Sequence, residues 1–342
     1  MKVLCFWYAT EEEKNYIKNA MPPGTEVVAP KGSYFSRFDC AYADVKDLLS
    51  DADAIIAFSV PPGALEKAEK LKVFSWLHSG VDDLRQMGVL RLFMERGVKC
   101  ANVRGANAIA VAEQAMMFIF ALAKKTVFKD DAIRHKRTLF PLYADEYRST
   151  MLDGRTLGLV GVGEIGGRIA KYAKGFDMRV VGVRRNKGQA VEHVDEVYGL
   201  DDLHQVLRQS DYVVLAAPNT PETHQFFGRA ELEAMKPSAF LVNIARGMLI
   251  QEKALYEALT SGRLRGFGSD CWWNYPFGTA FPAGGGGSRL GIHRLPNVVG
   301  SDDQSANADD VLVRLIEWGT QNILEFVNRK PLSREVRLDL GY

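Results

Sequence analysis

Three glycines in the segment TLGLVGVGEIG, which begins at Thr156, have the spacing G-x-G-x-x-G of a phosphate-binding loop. They follow an apolar run and precede a helix-like segment, which is the context that the pattern requires. The first glycine permits a tight turn, the second lets the backbone approach a pyrophosphate, and the third allows close helix packing. Amide groups at the start of the helix would hold the anion. The pattern predicts a dinucleotide site at Gly161, Gly163, Glu164, Ile165 and Gly166; a glycine turn without a ligand is the alternative.

The residues after the next predicted strand indicate which dinucleotide is bound. A site for NAD usually has an acidic residue about 20 residues beyond the glycine loop, which accepts hydrogen bonds from the ribose 2′-hydroxyl. Here that place reads Arg184-Arg185-Asn186 and contains no carboxylate. Two guanidinium groups can instead bind a 2′-phosphate. The sequence therefore predicts NADP(H) as the preferred cofactor and NAD(H) as the second choice, unless the arginine pair is merely solvated.

The bulk composition excludes several classes of protein. A formal net charge of +1 with 25% charged residues is typical of an ordinary globular protein and implies no nucleic-acid partner. The four cysteines form no C-x-x-C pair, so we expect neither a metal site nor a redox dithiol. The most apolar helix-like run, residues 115–123, is shorter than the roughly 20 residues that span a bilayer. We therefore expect a cytoplasmic, soluble protein with no membrane partner.

The order of apolar and helix-like segments predicts the fold class. With 342 residues the chain exceeds what one hydrophobic core usually organises, so we expect two domains with a cleft between them. Short apolar runs alternate with helix-like stretches, which predicts parallel α/β sheets. The predicted strands are residues 3–8, 54–58, 73–77 and 98–101, followed by 157–160, 179–183, 212–216, 239–243, 266–270 and 298–300. Helical patterns begin at Asn107 and Ala308.

Several motifs together resemble those of the D-isomer-specific 2-hydroxyacid dehydrogenase family, and they extend over nearly the whole chain. Besides the glycine loop they are SGVD at 79–82, VAEQ at 111–114, APNTPET at 217–223, VNIARG at 242–247, Asn322-Ile and Lys330-Pro-Leu. The combination is much more specific than any single motif. It implies two Rossmann-like, doubly wound α/β domains, of which the substrate domain is discontinuous.

The resemblance also implies the domain bounds and the assembly. Residues 1–103 and 305–342 would form a flavodoxin-like substrate-binding domain, and residues 104–304 would form the NAD(P)-binding Rossmann domain. The family usually dimerises through the nucleotide-binding domain. We therefore expect a homodimer, with the charged and aromatic stretch 128–151 as the exchanged arm.

Roles for individual residues follow from the same resemblance. The backbone around His78, Ser79 and Gly80 would hold the substrate carboxylate, and Arg246 would bind that carboxylate and the carbonyl oxygen. A planar cationic fork suits a 2-oxo acid and polarises its carbonyl as a hydride arrives. A structural salt bridge is the alternative role for this arginine. Cofactor contacts are implied at Ala217, Pro218, Thr223, Ile244, Ala245 and Asp270, and Ala245 with Asp270 would orient the nicotinamide.

The chain departs from the family at the proton-donating pair. Members carry a glutamate before a proline after the fifth strand and a histidine after the sixth, whereas this chain has Tyr275 and Asp303 there. An aspartate donates a proton near neutral pH only if its pKa is raised, whereas a tyrosine could donate if the aspartate relayed the proton. Tyr275 with Asp303 is the leading acid–base hypothesis. A packed tyrosine and a solvated helix cap at Asp302 and Asp303 is the alternative.

Two histidines could replace the missing donor. His78 lies on the loop that should face the substrate, and His293 lies close to the segment FPAGGGGS at 281–288. Gly284 to Gly287 suggest a mobile loop and a candidate lid over the cleft. A structural or solvated histidine is the alternative in both cases. Trp272 and Trp273 are more typical of core or subunit-interface residues than of a pair that stacks on the substrate.

Together these features predict an NADP(H)-dependent oxidoreductase that transfers a hydride to or from C2 of a small 2-oxo or 2-hydroxy carboxylate. Arg246 would be the substrate anchor, and the proton donor would be non-standard. Two acidic residues in place of a histidine could favour a cationic group, so an imino or amino substrate is a second hypothesis. The third is a dinucleotide-binding regulator that has lost catalysis, which the presence of Arg246 and Asp270 disfavours.

Overall fold

The computed structural model describes residues 1–273 and 287–341 of the chain. These residues form two compact units, one made of Met1–Asn107 and 307–341, the other of 108–273 and 287–306. Tyr275 and Gly284 to Gly286 lie outside the described residues. Within the described ranges, no helix is both long enough and apolar enough to cross a membrane.

The secondary structure follows a repeated strand–helix order. In chain order the strands are β1 (Lys2–Phe6), β2 (Glu26–Val28), β3 (Ala54–Ala57), β4 (Val73–Trp76), β5 (Lys99–Asn102), β6 (Thr156–Val160), β7 (Arg179–Val183), β8 (Glu196–Tyr198), β9 (Tyr212–Leu215), β10 (Phe240–Asn243), β11 (Gly266–Ser269) and β12 (Val298–Gly300). The α-helices are α1 (Glu11–Ala20), α2 (Tyr42–Val45), α3 (Ala64–Lys67), α4 (Asp82–Gln86), α5 (Val89–Arg96), α6 (Ala108–Lys124), α7 (Thr126–Arg134), α8 (Glu164–Lys174), α9 (Leu203–Gln209), α10 (Arg229–Ala234), α11 (Glu252–Thr260) and α12 (Val311–Val327).

The first unit is built on a parallel sheet with the strand order β2-β1-β3-β4-β5. Val3 of β1 pairs with Ala54 of β3, and Ala54 pairs with Val73 of β4. Alternate strand residues pack into two separate apolar clusters, one on each face, which explains why β3 and β4 are continuous apolar runs. The four predicted strands are confirmed. β2 is an additional edge strand of three partly exposed residues, too short and too polar to give an apolar run.

The second unit has a parallel sheet with the order β12-β11-β10-β9-β6-β7-β8. The chain order reverses between β9 and β6, and α/β sheets bind ligands beyond the carboxyl ends of the strands at such a reversal. The long helix α6 packs against α8 and against β10, β11 and β12. The six predicted strands are confirmed. The seventh, β8, is a three-residue edge strand that sequence periodicity does not reveal.

Helix α12 lies close to the sheet of the first unit because two of its residues are suited to that contact. Asn322 is fully buried, and its Nδ2 donates to Ser75 Oγ at 3.1 Å and to the Asn102 carbonyl oxygen at 2.9 Å. Gly319 lies one turn earlier, where a side chain would collide with the side chain of Leu77. The absence of a side chain at position 319 therefore sets the distance between helix and sheet.

Replacing Gly319 by alanine should destabilise the chain, although alanine is favoured over glycine in a helix by about 1 kcal/mol. Overpacking costs about 1–3 kcal/mol, so we expect a net loss of about 1 kcal/mol in the free energy of unfolding. Gly167→Ala in α8 is the matched control, because its added Cβ would meet no atom within 4 Å. Urea unfolding of both variants measures the difference, and a Gly319→Ala variant as stable as the control would contradict this packing.

Candidate active site

The glycine loop joins β6 to α8, and two of its glycines have no room for a side chain. Gly161 has a φ of +103°, and a Cβ there would lie 2.7 Å from the carbonyl carbon of Ala216. Gly166, in the first turn of α8, would place a Cβ against the carbonyl oxygen of Gly161. The turn, the helix and the end of β9 approach one another this closely only because these positions are glycine.

Gly163 differs from the other two glycines because it faces open space. It caps the N-terminus of α8, is exposed, and a Cβ there would meet no atom within 4 Å. This space lies in front of the helix amides that Glu164 and Ile165 contribute to the first turn. Such amides bind anions, and the macrodipole of the helix adds to the attraction. The loop therefore fits the diphosphate of a dinucleotide, with residues 161–166 as the groups that would hold it.

Arg184, Arg185 and Asn186 directly follow β7 at the same edge of the sheet. Arg184 is half-buried, and its amide donates to the carbonyl oxygen of Tyr198 at 3.1 Å, whereas Arg185 and Asn186 are exposed. β6 and β7 are parallel neighbours, so this arginine pair and the glycine loop follow the carboxyl ends of adjacent strands. In this arrangement the end of the second strand is where the adenosine ribose of a dinucleotide lies.

The turn after β9 contains the predicted contacts Ala217, Pro218 and Thr223. The Thr223 hydroxyl donates to the carbonyl oxygen of Pro218 at 2.6 Å and accepts from the amide of Thr220 at 2.8 Å. Thr223 therefore stabilises its own turn, and its contact with the cofactor stays a prediction. The backbone of Ala217 lies beside the glycine loop, because its nitrogen would be 2.8 Å from a Cβ at Gly161.

Arg246 follows β10, and the last residue of that strand fixes its backbone. Asn243 Oδ1 accepts from the amide of Ala245 at 3.1 Å, and Asn243 Nδ2 donates to the carbonyl oxygen of Arg246 at 2.9 Å. Arg246 is half-buried, and its Nη1 donates to the carbonyl oxygen of Ala245 at 2.9 Å. The buried Ile244 lies between these anchored positions. Asn243 is a positioning residue that the sequence prediction missed, although it belongs to the VNIARG motif.

Asp270 is buried directly after β11 and holds the segment 301–305, which follows β12. Its carboxylate accepts hydrogen bonds from the amides of Gln304 at 2.9 Å and Ser305 at 3.0 Å, and from the hydroxyls of Ser301 and Ser305. Its carbonyl oxygen accepts from the amide of Asp303 at 2.8 Å. Asp270 thus determines the path of this segment, and its role in orienting a nicotinamide stays a prediction.

Ser301 links this segment to two neighbouring elements. Gln114 Nε2, from α6, donates to Ser301 Oγ at 2.9 Å, and Trp272 Nε1 donates to the Ser301 carbonyl oxygen at 2.7 Å. Trp272 is buried, and Trp273 Nε1 donates to the carbonyl oxygen of Ile250 at 2.8 Å. Both indole N–H groups donate hydrogen bonds inside the unit. Trp272 is therefore a core residue that supports the segment 301–305.

Asp303 lies at the centre of the segment that Asp270 holds. Its φ of +54° is a left-handed conformation, which aspartate adopts more readily than most residues. The side chain is exposed to water, yet loss of hydration raises the pKa of Asp303 to about 6, with Asp270 and Asp302 adding to the rise and Arg246 opposing it. The alternative of a helix cap is wrong, because the next helix, α12, begins at Val311.

His78, Ser79 and Gly80 follow β4 in the first unit. His78 Nε2 donates to the carbonyl oxygen of Phe58 at 2.7 Å, so a neutral ring carries its proton on Nε2. The carbonyl oxygen of Ser79 accepts from Asn102 Nδ2 at 2.7 Å. The backbone and the imidazole of this turn are therefore held in defined orientations.

His293 contacts the backbone at Ser288. Its Nδ1 accepts from the amide of Ser288 at 3.1 Å, and its ring centroid lies 5.9 Å from that of Trp272. Ser288 Oγ donates to Glu252 Oε1 at 2.7 Å. These contacts favour the structural alternative for His293, and its role as a proton donor stays a prediction. The acid–base hypothesis for Tyr275 and the lid hypothesis for the glycine segment concern residues outside the described ranges and stay predictions.

Comparison with known proteins identifies the family. The family described as D-isomer specific 2-hydroxyacid dehydrogenase, NAD binding domain, matches residues 116–299, which is more than half of the chain. The chain belongs to the D-isomer-specific 2-hydroxyacid dehydrogenase family. The matched range includes the glycine loop, the arginine pair, Arg246 and Asp270. Membership identifies the chain as an NAD(P)-dependent oxidoreductase and confirms a nicotinamide dinucleotide as its cofactor.

Individual relatives agree with this assignment. The chain is 31% identical over 270 residues to D-3-phosphoglycerate dehydrogenase of Methanocaldococcus jannaschii, a match that covers 78% of this chain and 48% of that protein, about half its length. It is 33% identical over 236 residues to glyoxylate reductase of Pyrococcus furiosus, covering 67% of this chain and 68% of the relative. A solved acyclic imino acid reductase in complex with NADPH and D-Arg has a TM-score of 0.77 and 24% identity, and the likeness covers 98% of this chain and 100% of the other. This last likeness shows the fold alone.

Proposed function

We propose that the chain is an NADP(H)-dependent oxidoreductase that transfers a hydride to or from C2 of a small 2-oxo or 2-hydroxy carboxylate. The observation that carries this proposal is the placement of Arg246 and Asp303 after strands of one sheet, each with its backbone anchored, Arg246 by Asn243 and Asp303 by the carbonyl oxygen of Asp270. Both residues follow strands of one parallel sheet, β10 and β12, which flank β11. A cation that can bind a carboxylate and a group that can exchange a proton are thus present at one edge.

Each residue has a distinct part in the proposed reaction. NADP(H), held by the glycine loop, supplies the hydride when bound. Arg246 binds the substrate carboxylate through its planar fork and polarises the adjacent carbonyl. Protonated Asp303 donates to the carbonyl oxygen during reduction, and ionised Asp303 accepts the hydroxyl proton during oxidation. Tyr275 is the proposed second member of this acid–base pair.

The domain roles and the assembly are part of the same proposal. Residues 1–103 and 305–342 bind the substrate, with His78, Ser79 and Gly80 as contacts, and residues 104–304 bind the cofactor. The stretch 128–151 exposes large apolar side chains, among them Ile133 (73% exposed), Phe140 (77%) and Leu142 (71%). Clustered apolar exposure of this kind marks an interaction surface. A second copy of the chain covers it in the proposed homodimer.

Replacing Arg184 and Arg185 together by alanine should weaken the binding of NADPH and leave that of NADH nearly unchanged. A hydrogen bond to a charged group contributes about 1.5–3 kcal/mol, so the Kd of NADPH should rise roughly 10- to 100-fold. Calorimetric titration with both dinucleotides measures the two values. Arg208→Ala, which removes an exposed arginine from α9, is the control. Equal weakening of both dinucleotides would refute the assignment of the pair to the 2′-phosphate.

Replacing Arg246 by alanine should lower kcat/KM for the carboxylate substrate by about 100-fold or more, because the charge-assisted hydrogen bonds to the carboxylate are lost. NADPH affinity should stay within about threefold, since the arginine does not hold the dinucleotide. Steady-state assays over 2-oxo acids, with calorimetry for NADPH, separate the two effects. Unchanged turnover would remove the anchor role. No turnover with any carboxylate by the unmodified chain, despite NADPH binding, would favour a regulator.

A further inference from the structure

An open cavity of about 590 Å³ lies in the first unit, at the amino ends of its strands. One side is formed by Asp53 and Lys72, which directly precede β3 and β4, and by Lys99, which begins β5. The turn with His78 follows the opposite, carboxyl end of β4. The volume is within the range of about 300–1,000 Å³ that is typical of pockets for small molecules.

The end of helix α12 and the turn after it form the other side of the cavity. This turn includes the Lys330-Pro-Leu motif, to which the proposed reaction gives no role. The amide of Arg329 donates to the carbonyl oxygen of Phe326 at 3.0 Å, and that of Lys330 donates to the carbonyl oxygen of Glu325 at 2.9 Å. The Glu325 carboxylate accepts from the amide of Ser333 at 2.8 Å. The backbone that carries the two cations is therefore held in place.

Two ion pairs occupy both of the acidic side chains that line the cavity. Lys72 Nζ lies 2.7 Å from Asp53 Oδ1, and Lys99 Nζ lies 2.6 Å from Glu335 Oε1. The side chains of Lys72 and Lys99 are nevertheless 63% and 55% exposed. An ammonium group has three N–H donors, so both lysines keep donors for a further partner.

Arg329 and Lys330 add two positive charges that these carboxylates do not balance. Both residues are exposed and line the cavity, and within residues 1–273 and 287–341 neither side chain forms a hydrogen bond or an ion pair. Cations at the C-terminal end of a helix can offset its macrodipole, which is the structural alternative for this pair. That role requires neither a cavity nor the lysines that line its other side.

Apolar side chains complete the lining of the cavity. Phe326, Val327 and Leu332 are partly buried and present carbon surface to it. A small organic molecule can cover such surface, whereas an inorganic ion cannot. A cleft that combines apolar walls with an excess of one charge concentrates ligands of the opposite charge. The cavity thus matches an organic molecule that carries several negative charges.

We propose that this cavity binds a small organic polyanion, a polycarboxylate or a phosphate ester, between Arg329 and Lys330 on one side and Lys72 and Lys99 on the other. Carboxylate and phosphate oxygens accept charge-assisted hydrogen bonds from guanidinium and ammonium groups. None of the lining residues belongs to the glycine loop or to the turn 78–80. The site is therefore additional to those of the cofactor and the substrate, and it does not depend on the reaction proposed above.

Calorimetric titration of the full chain at low ionic strength tests the binding. NADPH or NADH, whichever binds more tightly, is present at about ten times its Kd, so that the glycine loop is occupied. The probes are citrate, glycerol 3-phosphate and, as the monovalent comparison, acetate. Citrate or glycerol 3-phosphate should bind with a Kd below about 1 mM, and acetate should bind at least about tenfold more weakly.

The polyanion Kd should also rise when salt is increased to about 0.15 M, because salt screens exposed charges. The tighter of the two polyanions shows whether the ligand is a polycarboxylate or a phosphate ester. A Kd above about 1 mM for both polyanions, or an acetate Kd within about tenfold of theirs, overturns the proposal.

The double variant Arg329→Asn/Lys330→Gln assigns the binding to the cavity. Asparagine tolerates the left-handed backbone at position 329, where φ is +54°, and both side chains are exposed, so the variant should fold. Loss of two exposed ionic contacts should raise the polyanion Kd roughly 5- to 30-fold. A variant that is less stable in urea but binds the polyanion as tightly as the unmodified chain would support the macrodipole role instead and overturn the proposal.

Lys18→Gln/Lys67→Gln is the matched control, because it removes two exposed lysines of the same unit that do not line the cavity. Its polyanion Kd should stay within about twofold of that of the unmodified chain. Equal weakening in both double variants would reveal an effect of net charge alone and would overturn the assignment to Arg329 and Lys330.

Lysine acetylation of the unmodified chain provides a test that does not depend on the folding of a variant. Mass spectrometry after brief treatment with an acetylating reagent reports the access to each ammonium group. The saturating polyanion should slow the labelling of Lys72 and Lys330 at least about threefold and leave that of Lys18 and Lys67 unchanged. Equal slowing at all four lysines, or none at Lys72 and Lys330, would contradict the proposed site.

Discussion

The buried carboxylate of Asp270 is the constraint on which the site depends. It accepts four hydrogen bonds from the segment 301–305 and so ties the end of β12 to the end of β11. A buried carboxylate without donors would cost several kcal/mol, roughly the scale of the whole stability of a domain. Carboxylate and segment therefore stabilise each other. Asp303 keeps a defined place relative to Arg246 because its own amide is bonded to the same aspartate.

At the neighbouring strand ends, too, local contacts fix the backbone that carries the functional residues. Asn243 closes the backbone around Arg246, and the glycines at 161 and 166 let the loop, α8 and the end of β9 meet without side chains between them. The carboxyl ends of parallel strands lie at one edge of the sheet, so these separate local contacts contribute to a single site. The sheet determines where these residues lie, and side-chain hydrogen bonds determine how their backbone is oriented.

Sequence patterns predict the buried strands and the glycine loop because apolar runs and glycine spacing are local signals. They fail for β2 and β8, which are three-residue edge strands stabilised by pairing with a neighbour rather than by their own composition. The family resemblance implied a role for Asp270, but its hydrogen bonds to a segment more than 30 positions later are tertiary and leave no local pattern. Likewise, the identity of Asp303 is visible in the sequence, whereas its raised pKa depends on desolvation, Asp270 and Asp302.

The titration of Asp303 tests this description of the site most directly. Carbon-13 NMR of the chain with labelled aspartate carboxyl groups, assigned by comparison with Asp303→Asn, gives the midpoint for this single residue. We expect a midpoint near pH 6 in the unmodified chain, and a higher one in Arg246→Ala, because the guanidinium opposes the rise in the Asp303 pKa. A midpoint near the ordinary aspartate pKa of about 3.9, unaffected by loss of Arg246, would contradict it.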